Sequence, residues 1–398
     1  MDTLSSLSLD IYFEIIDTIS ADHYSEDIRH ATLRACALTC SAWLGRARFH
    51  LYTHVEISEE IPNQVSMFTR TLVDFPASAA LVKRLCAHIG EPGAECWSDE
   101  QEAKKQFPSE AIQHLSGLQY LEFACLIWLG GSEPPALLSA VFAFSIATSV
   151  RTFVLSAFTF ESLKELVDHL EKFKHIRSLQ LSVTYWIDLD VPGPHDISAD
   201  FLRGLTDLEL SDNMVEDGLI RIIPPTIKTL KLGPRTEYCN TEEGDPDESY
   251  EALARYTELE SLILETRFND EIEWFKEALS CAQCPSLRTL SLIYRSDSGK
   301  SVQETADRIH LPALDDVLSH EPFLGVQEIS VEMVFYTGDQ EEADTKAQLM
   351  KQYILDGLTR CQNRGVQIHA NCRGHGRIRA SVFTAPAFPR SRDRESTT

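Results

Sequence analysis

Basic residues are scarce in this chain. Its 398 residues hold 36 Lys and Arg against 61 Asp and Glu, for a formal net charge of −25. Nucleic acids and anionic membrane surfaces are held by basic patches, so the deficit argues against both as partners. It favours a basic partner, or solubility alone. Long apolar runs are missing as well. The longest nearly uncharged stretch, 134–150, falls short of the ~20 residues of a membrane helix. It also carries Ser139, Ser145, Thr148 and Ser149, and it reads as a buried helix. The opening Met1-Asp2-Thr3 has no basic segment of the kind that begins a secretory signal. The ten cysteines form no tight framework, and Cys36, Cys40, Cys86, Cys125 and Cys361 fall in apolar contexts, as small hydrophobes do. A reducing compartment, cytoplasmic or nuclear, is the expectation.

Catalytic signatures are absent too. There is no G-x-S-x-G and no H-E-x-x-H. The run Asp297-Ser298-Gly299-Lys300-Ser301 resembles the end of a phosphate loop, but Tyr294 stands where that loop needs glycine. Cys281 and Cys284 have the spacing of half a zinc site, without a second pair nearby. His169 and His175 sit near a helix end and read as capping or surface residues. No nucleophile, base and orienting group fall together, so the expectation is a non-enzyme with no catalytic residues, no metal and no cofactor.

What the chain has in abundance is a six-residue pattern, L-x-x-L-x-L. It starts at 118 (LQYLEF), 150 (VRTFVL), 176 (IRSLQL), 205 (LTDLEL), 227 (IKTLKL), 259 (LESLIL), 287 (LRTLSL) and 326 (VQEISV). A weaker copy lies at 82–87. The last two apolar positions of each copy alternate with a polar one, which puts them on one face of a short strand. Between copies the spacing is helical. Leu163, Leu166, Val167 and Leu170 fall at i, i+3, i+4 and i+7 within 160–170, and 272–279 repeats the pattern. A unit of about 30 residues cannot bury its own apolar face, but stacked units can. These segments resemble leucine-rich repeats. The resemblance covers roughly 81–371 and implies an α/β solenoid with parallel strands on the concave face and helices on the convex face. Uneven gaps, and the mostly missing Asn or Cys after the last Leu, depart from regular members. The polar runs 236–251 and 295–307 read as surface loops, and 380–398 as a disordered tail.

If strands line the concave face, their outward side chains meet a partner. Those positions include Tyr120, Arg151, Arg177, Asp207, Lys228, Lys231, Glu260 and Arg288. Basic and acidic copies alternate along the series, an order that suits a protein partner of matching charge order. A solvated strand face is polar in any case, so each residue also has that plainer reading.

The first sixty residues carry no repeat. Ile11, Ile15, Ile16 and Ile19 share one helix face, with Asp10 and Glu14 suited to its first turns. Leu33, Cys36, Ala37 and Cys40 repeat the helical spacing, and the end of 46–57 alternates like a strand. Leu7-Ser8-Leu9-Asp10-Ile11, Cys40-Ser41-Ala42-Trp43 and the run Arg48-Phe49-His50-Leu51-Tyr52 resemble the F-box, with Ser8 where that family has proline and Ser41 where Arg is common. The resemblance implies a small all-α module (1–60) that docks on a Skp-type adaptor and through it on a cullin, ahead of a solenoid at 61–379. Leu7, Leu9, Ile11, Ile15, Leu38 and Trp43 would make the adaptor contact. The chain would then be the substrate-recognition subunit of a cullin–RING ubiquitin ligase, with an unknown protein substrate on the repeats. The plainer alternative is a helical cap on a repeat scaffold that binds a protein without any ligase.

Overall fold

The computed structural model of the chain describes residues 9–21, 26–58, 64–89, 107–125, 141–188, 197–198, 200–211, 216–233, 250–267, 273–296, 301–337 and 339–376. Leu7, residues 236–249 of the run expected as a loop, and 380–398, expected as a tail, lie outside them. The chain divides into two compact units, Met1–Glu265 with Glu277–Arg288, and Thr266–Lys276 with Thr289–Thr398.

The first unit opens with helices α1 (Leu9–Ala21), α2 (Glu26–Thr39) and α3 (Ser41–Thr53), then strand β1 (His54–Ser58) and helix α4 (Gln64–Asp74). The helical spacing that runs through Cys40 in the sequence is interrupted there. Cys40 takes an extended backbone (φ −161°, ψ 164°) and precedes α3. It is exposed, not a core thiol. The strands β2 (Arg84–Ile89), β3 (Tyr120–Cys125), β4 (Thr152–Ser156), β5 (Thr159–Ser162), β6 (Ser178–Ser182), β7 (Tyr185–Asp188), β8 (Asp207–Ser211), β9 (Thr229–Leu232) and β10 (Ser261–Arg267) follow. All of these except β5 and β7 join β1 in one parallel sheet in chain order, while β5 and β7 pair with each other.

Each L-x-x-L-x-L copy described in this unit ends in one of these strands, and the register aligns the copies. Leu85, Leu121, Phe153, Leu179, Leu208, Leu230 and Leu262 are successive partners across the sheet. Ala87, Phe123, Leu155, Leu181, Leu210, Leu232 and Leu264 form the parallel row two residues on. Every residue of both rows is buried. Burying one such large side chain contributes about 1.5–3 kcal/mol, so the two rows are the main cohesive element of this unit. The entrance to each strand is fixed by a shared carbonyl. The oxygens of Gln119, Arg151, Arg177, Thr206 and Lys228 each accept two successive N–H groups from the next copy, at 2.7–3.0 Å.

The segments between strands are less regular than the sequence suggests. The helix expected from 160 begins at Leu163, because Phe160 belongs to β5 and Ser162 caps the helix by accepting from the Glu165 N–H. Of the helix expected at 134–150, the described part is helical at Val141 and Phe142 and runs on as a 3-10 turn, Ala143–Ile146. Phe142 and Phe144 are buried there. Strands β4 and β6 are each followed by a non-glycine residue with left-handed backbone, Ala157 (φ 61°) and Val183 (φ 51°). Each corner N–H donates to the next strand, Ala157 to the Ser182 carbonyl and Val183 to that of Ser211. The pairing strands β5 and β7 follow directly after these corners.

In the second unit, β11 (Thr289–Ser296), β12 (Glu328–Thr337) and β13 (Gln367–Gly376) pair in parallel. Helices Val302–Ile309, Leu311–Leu318, Gln340–Gly357 and Thr359–Asn363 separate them. The polar run 295–307 is therefore not a loop throughout. Its start continues β11, and Ser301 with Glu304 forms a reciprocal capping box that starts a helix. Buried Asp315 accepts the backbone N–H groups of Arg360 and Cys361, tying the first turn of Thr359–Asn363 to Leu311–Leu318.

Candidate protein-interaction site

The three N-terminal helices pack around Ile16, Leu33, Cys36 and Ala47. The apolar residues of α1 serve two directions. Ile16 is buried and Ile19 packs against the core, whereas Ile11 and Ile15 remain 42% and 40% exposed. On α2, Leu38 is 87% exposed while Leu33 and Cys36 turn inward. Trp43 packs against the core and against Tyr12, with ring centroids 5.4 Å apart. Of the residues expected at an adaptor contact, then, Ile11, Ile15 and Leu38 present free apolar surface and Trp43 is half-buried. Leu9 starts α1. An ion-pair cluster locks α1 to α3. Both Asp17 oxygens accept from Arg46 at 2.6 Å, and His50 Nε2 lies 2.8 Å from Oδ1. The Arg46 hydrogen bonds, then His50, hold the Asp17 carboxyl down at about 2.

Along the sheet, the residues expected to meet a substrate divide into two sets. Tyr120, Asp207 and Lys231 lie within strands, on the polar side of the alternation. Arg151, Arg177, Lys228, Glu260 and Arg288 lie one residue before their strands, and the first three carry the shared carbonyl. Part of the alternating charge is satisfied within the chain. Lys228 Nζ is 2.7 Å from Glu260, with both side chains half exposed. Lys231 Nζ is 2.7 Å from Glu209 and 3.0 Å from Glu265, whose side chain is only 4% exposed. Burial disfavours the Lys231 cation, but hydrogen bonds to the two carboxylates outweigh it, and the ammonium pKa is raised. At Lys228, Lys231 and Glu260 the alternation thus reflects pairing between neighbouring copies.

A second polar cluster, not anticipated from the sequence, lies on β1–β3. The register sets His54 beside Arg84 beside Tyr120, and Glu56 beside Cys86 beside Glu122. The Arg84 guanidinium stacks 4.0 Å over the Tyr120 ring. Glu122 Oε2 accepts from Tyr120 OH at 2.8 Å and from Cys86 Sγ at 3.3 Å, and His54 Nε2 is 3.7 Å from that sulfur. A cysteine, a histidine and a carboxylate in contact invite a catalytic reading. Burial, however, pushes the Cys86 thiol up to about 12, so it is not a thiolate at neutral pH. The signal was present in the sequence only as equal offsets from successive strand starts.

Cys284 is buried, and burial likewise raises its thiol to about 12. Among the described residues no group of three or more His, Cys, Asp or Glu is arranged to hold a metal ion. Nor is any helix among them long and apolar enough to cross a membrane.

No protein-family model matches the chain, and no curated protein matches it. Among solved structures it is similar to a Bacteroides fragilis protein determined as a structural-genomics target. The identity is 13%, the match covers 78% of this chain and 70% of that one, and the TM-score is 0.33. A likeness that weak carries no argument about fold or activity.

Proposed function

We propose that this chain is the substrate-recognition subunit of a cullin–RING ubiquitin ligase, with an F-box at its N-terminus and leucine-rich-repeat-like units after it. The observation that carries the reading is the division of labour in the N-terminal helices. Ile16, Leu33, Cys36 and Ala47 suffice for their core, yet Ile11, Ile15 and Leu38 are left at the surface. Exposed apolar residues on an otherwise strongly acidic protein suit a partner that covers them. They also fall where the F-box resemblance expects the adaptor contact. The parallel units that follow supply a long polar strand face for a protein substrate. The subunit's contribution to ubiquitin transfer would be proximity, holding a target near a charged conjugating enzyme and raising its effective concentration.

The test is co-expression of the full chain with a Skp-type adaptor, read by pull-down and size exclusion. A one-to-one complex is expected. Ile11→Asp puts a charge into the desolvated centre of that contact and should weaken it by about 2–4 kcal/mol. Because Ile11 is already 42% exposed, the helical circular dichroism should stay unchanged. A folded Ile11→Asp chain that binds the adaptor as the parent does refutes the assignment. Failure of the parent chain to bind at all leaves the repeat scaffold without a ligase.

A further inference from the structure

A groove of about 1130 Å³ runs between α2, α3, β1 and α4. That exceeds the ~300–1,000 Å³ of ordinary small-molecule sites and suits a segment of polypeptide. Each helix contributes one stripe at helical spacing. From α2 come His30, Arg34, Ala37 and Leu38, and from α3 the same offsets give Leu44, Arg48, Leu51 and Tyr52. From α4 come Gln64, Met67, Phe68 and Thr71. The floor is thus apolar, and Leu38 and Met67 at its margin are 87% and 67% exposed.

The charge in the groove opposes that of the whole protein. In a chain of net charge −25, its lining holds two arginines and two histidines against one carboxylate, Glu56. Arg34 and Arg48 are exposed and have no hydrogen-bond or ion-pair partner among the described residues. Two helix stripes that each place an unpaired guanidinium at the same offset bring basic charge to an apolar groove.

The groove also rejects one mode of binding. β1 is an edge strand, and a free edge invites an added strand. Here Gln64 closes it. Its side-chain oxygen accepts the Ser58 N–H at 2.7 Å, and its amide donates to the Glu56 carbonyl at 3.1 Å. Those are backbone groups an incoming strand would use. An occupant must therefore bring its own backbone already paired, which a helix does.

We propose that this groove binds an amphipathic acidic helix of a partner protein, its apolar stripe on Leu44, Leu51, Met67 and Phe68 and its carboxylates on Arg34 and Arg48. The inference does not rest on the ligase reading: Leu38 is shared with the adaptor contact, but Arg34, Arg48, Met67 and Phe68 lie outside it.

The experiment uses the full chain and a fluorescent 16-residue helical probe with leucines at i, i+3, i+4 and i+7 and glutamates on its flanks. A control probe carries lysine for each glutamate. Anisotropy should show binding of the acidic probe, little binding of the basic one, and a loss of affinity with added salt. Arg34→Glu/Arg48→Glu should weaken the acidic probe at least tenfold and favour the basic one. Met67→Glu should weaken it comparably. These side chains are exposed, so circular dichroism should be unchanged. Equal binding of both probes by the parent chain, or no effect of the double reversal in a folded protein, overturns the proposal. So does binding that appears only after Glu59→Lys/Glu60→Lys, because the acidic occupant would then be the chain's own segment after β1.

Discussion

Replacing Lys231 by Met tests whether the charge series on the strand face is structural. The methionine keeps most of the apolar stem and deletes the ammonium. That ammonium lies 2.7 Å from Glu209 and 3.0 Å from Glu265. The Glu265 side chain is 4% exposed, whereas Lys231 and Glu209 are at 24% and 26%. Removing one partner of a buried ion pair costs about 3–5 kcal/mol, because a charge stays in a poorly solvated place. Glu209 can reach water and adds little, so the lower figure of ~3 kcal/mol is expected. At ~2–4 °C per kcal/mol for a unit of this size, the melting temperature should fall by about 10 °C.

Scanning calorimetry and urea titration measure this directly. Adding Glu265→Gln to Lys231→Met should recover at least ~1 kcal/mol, since the second change removes the stranded carboxylate. Lys228→Met provides the contrast. Its pair with Glu260 is half exposed on both sides and should give no measurable change. If Lys231→Met melts within 2 °C of the parent, or the double variant is strictly additive, the cluster is not structural and its charges are free for a partner.

Three further outcomes follow from the geometry. Asp17 has a folded pKa of about 2 against 3.8 ordinarily. A lowered folded pKa adds stability above the unfolded value, and that stability is lost as pH falls through the window from about 4 to 2. With the carboxylate 40% exposed, solvent screening reduces the effect to about 1 kcal/mol. Asp17→Asn should therefore flatten the acid limb of α1 amide exchange between pH 5 and 2, and parallel limbs would contradict the linkage. Gly117→Ala would place a Cβ 2.4 Å from the Ala80 carbonyl oxygen. A loss of about 1–3 kcal/mol by urea titration is expected, and a neutral result would mean the backbone yields there. Val183 holds a β-branched side chain at φ 51°, so Val183→Asn should raise stability by about 0.5–1 kcal/mol, and a loss would count against strain at that corner.

The strands were legible because their signal is written twice. Leu208 and Leu210 alternate with Glu209, and the same triplet recurs in register in every neighbouring copy, so local pattern and stacking agree. The intervening helices were less legible, because a segment needs only one buried turn to cross back. Phe142 fills its space from the end of a helix and Phe144 from the 3-10 turn that follows it. The α1 face was read too broadly. Ile11, Ile15, Ile16 and Ile19 are all apolar, and periodicity alone does not say that Ile16 and Ile19 bury while Ile11 and Ile15 do not. The break at Cys40 had no glycine or proline to mark it.

The charge series shows why exposed strand residues are a poor guide to a partner. Lys228, Lys231 and Glu260 stood out because their signs alternate, yet alternation between copies is what pairing across a parallel sheet produces. A charge used to hold neighbouring copies together must lose that contact before it meets a partner, and the loss subtracts from affinity. Charges that cost nothing to redirect are those without a partner in the chain. Arg34 and Arg48 meet that condition where Lys231 does not. By the same reasoning, apolar surface that the N-terminal core does not need, at Ile11, Ile15 and Leu38, is a better marker of recognition than the polar face of the sheet.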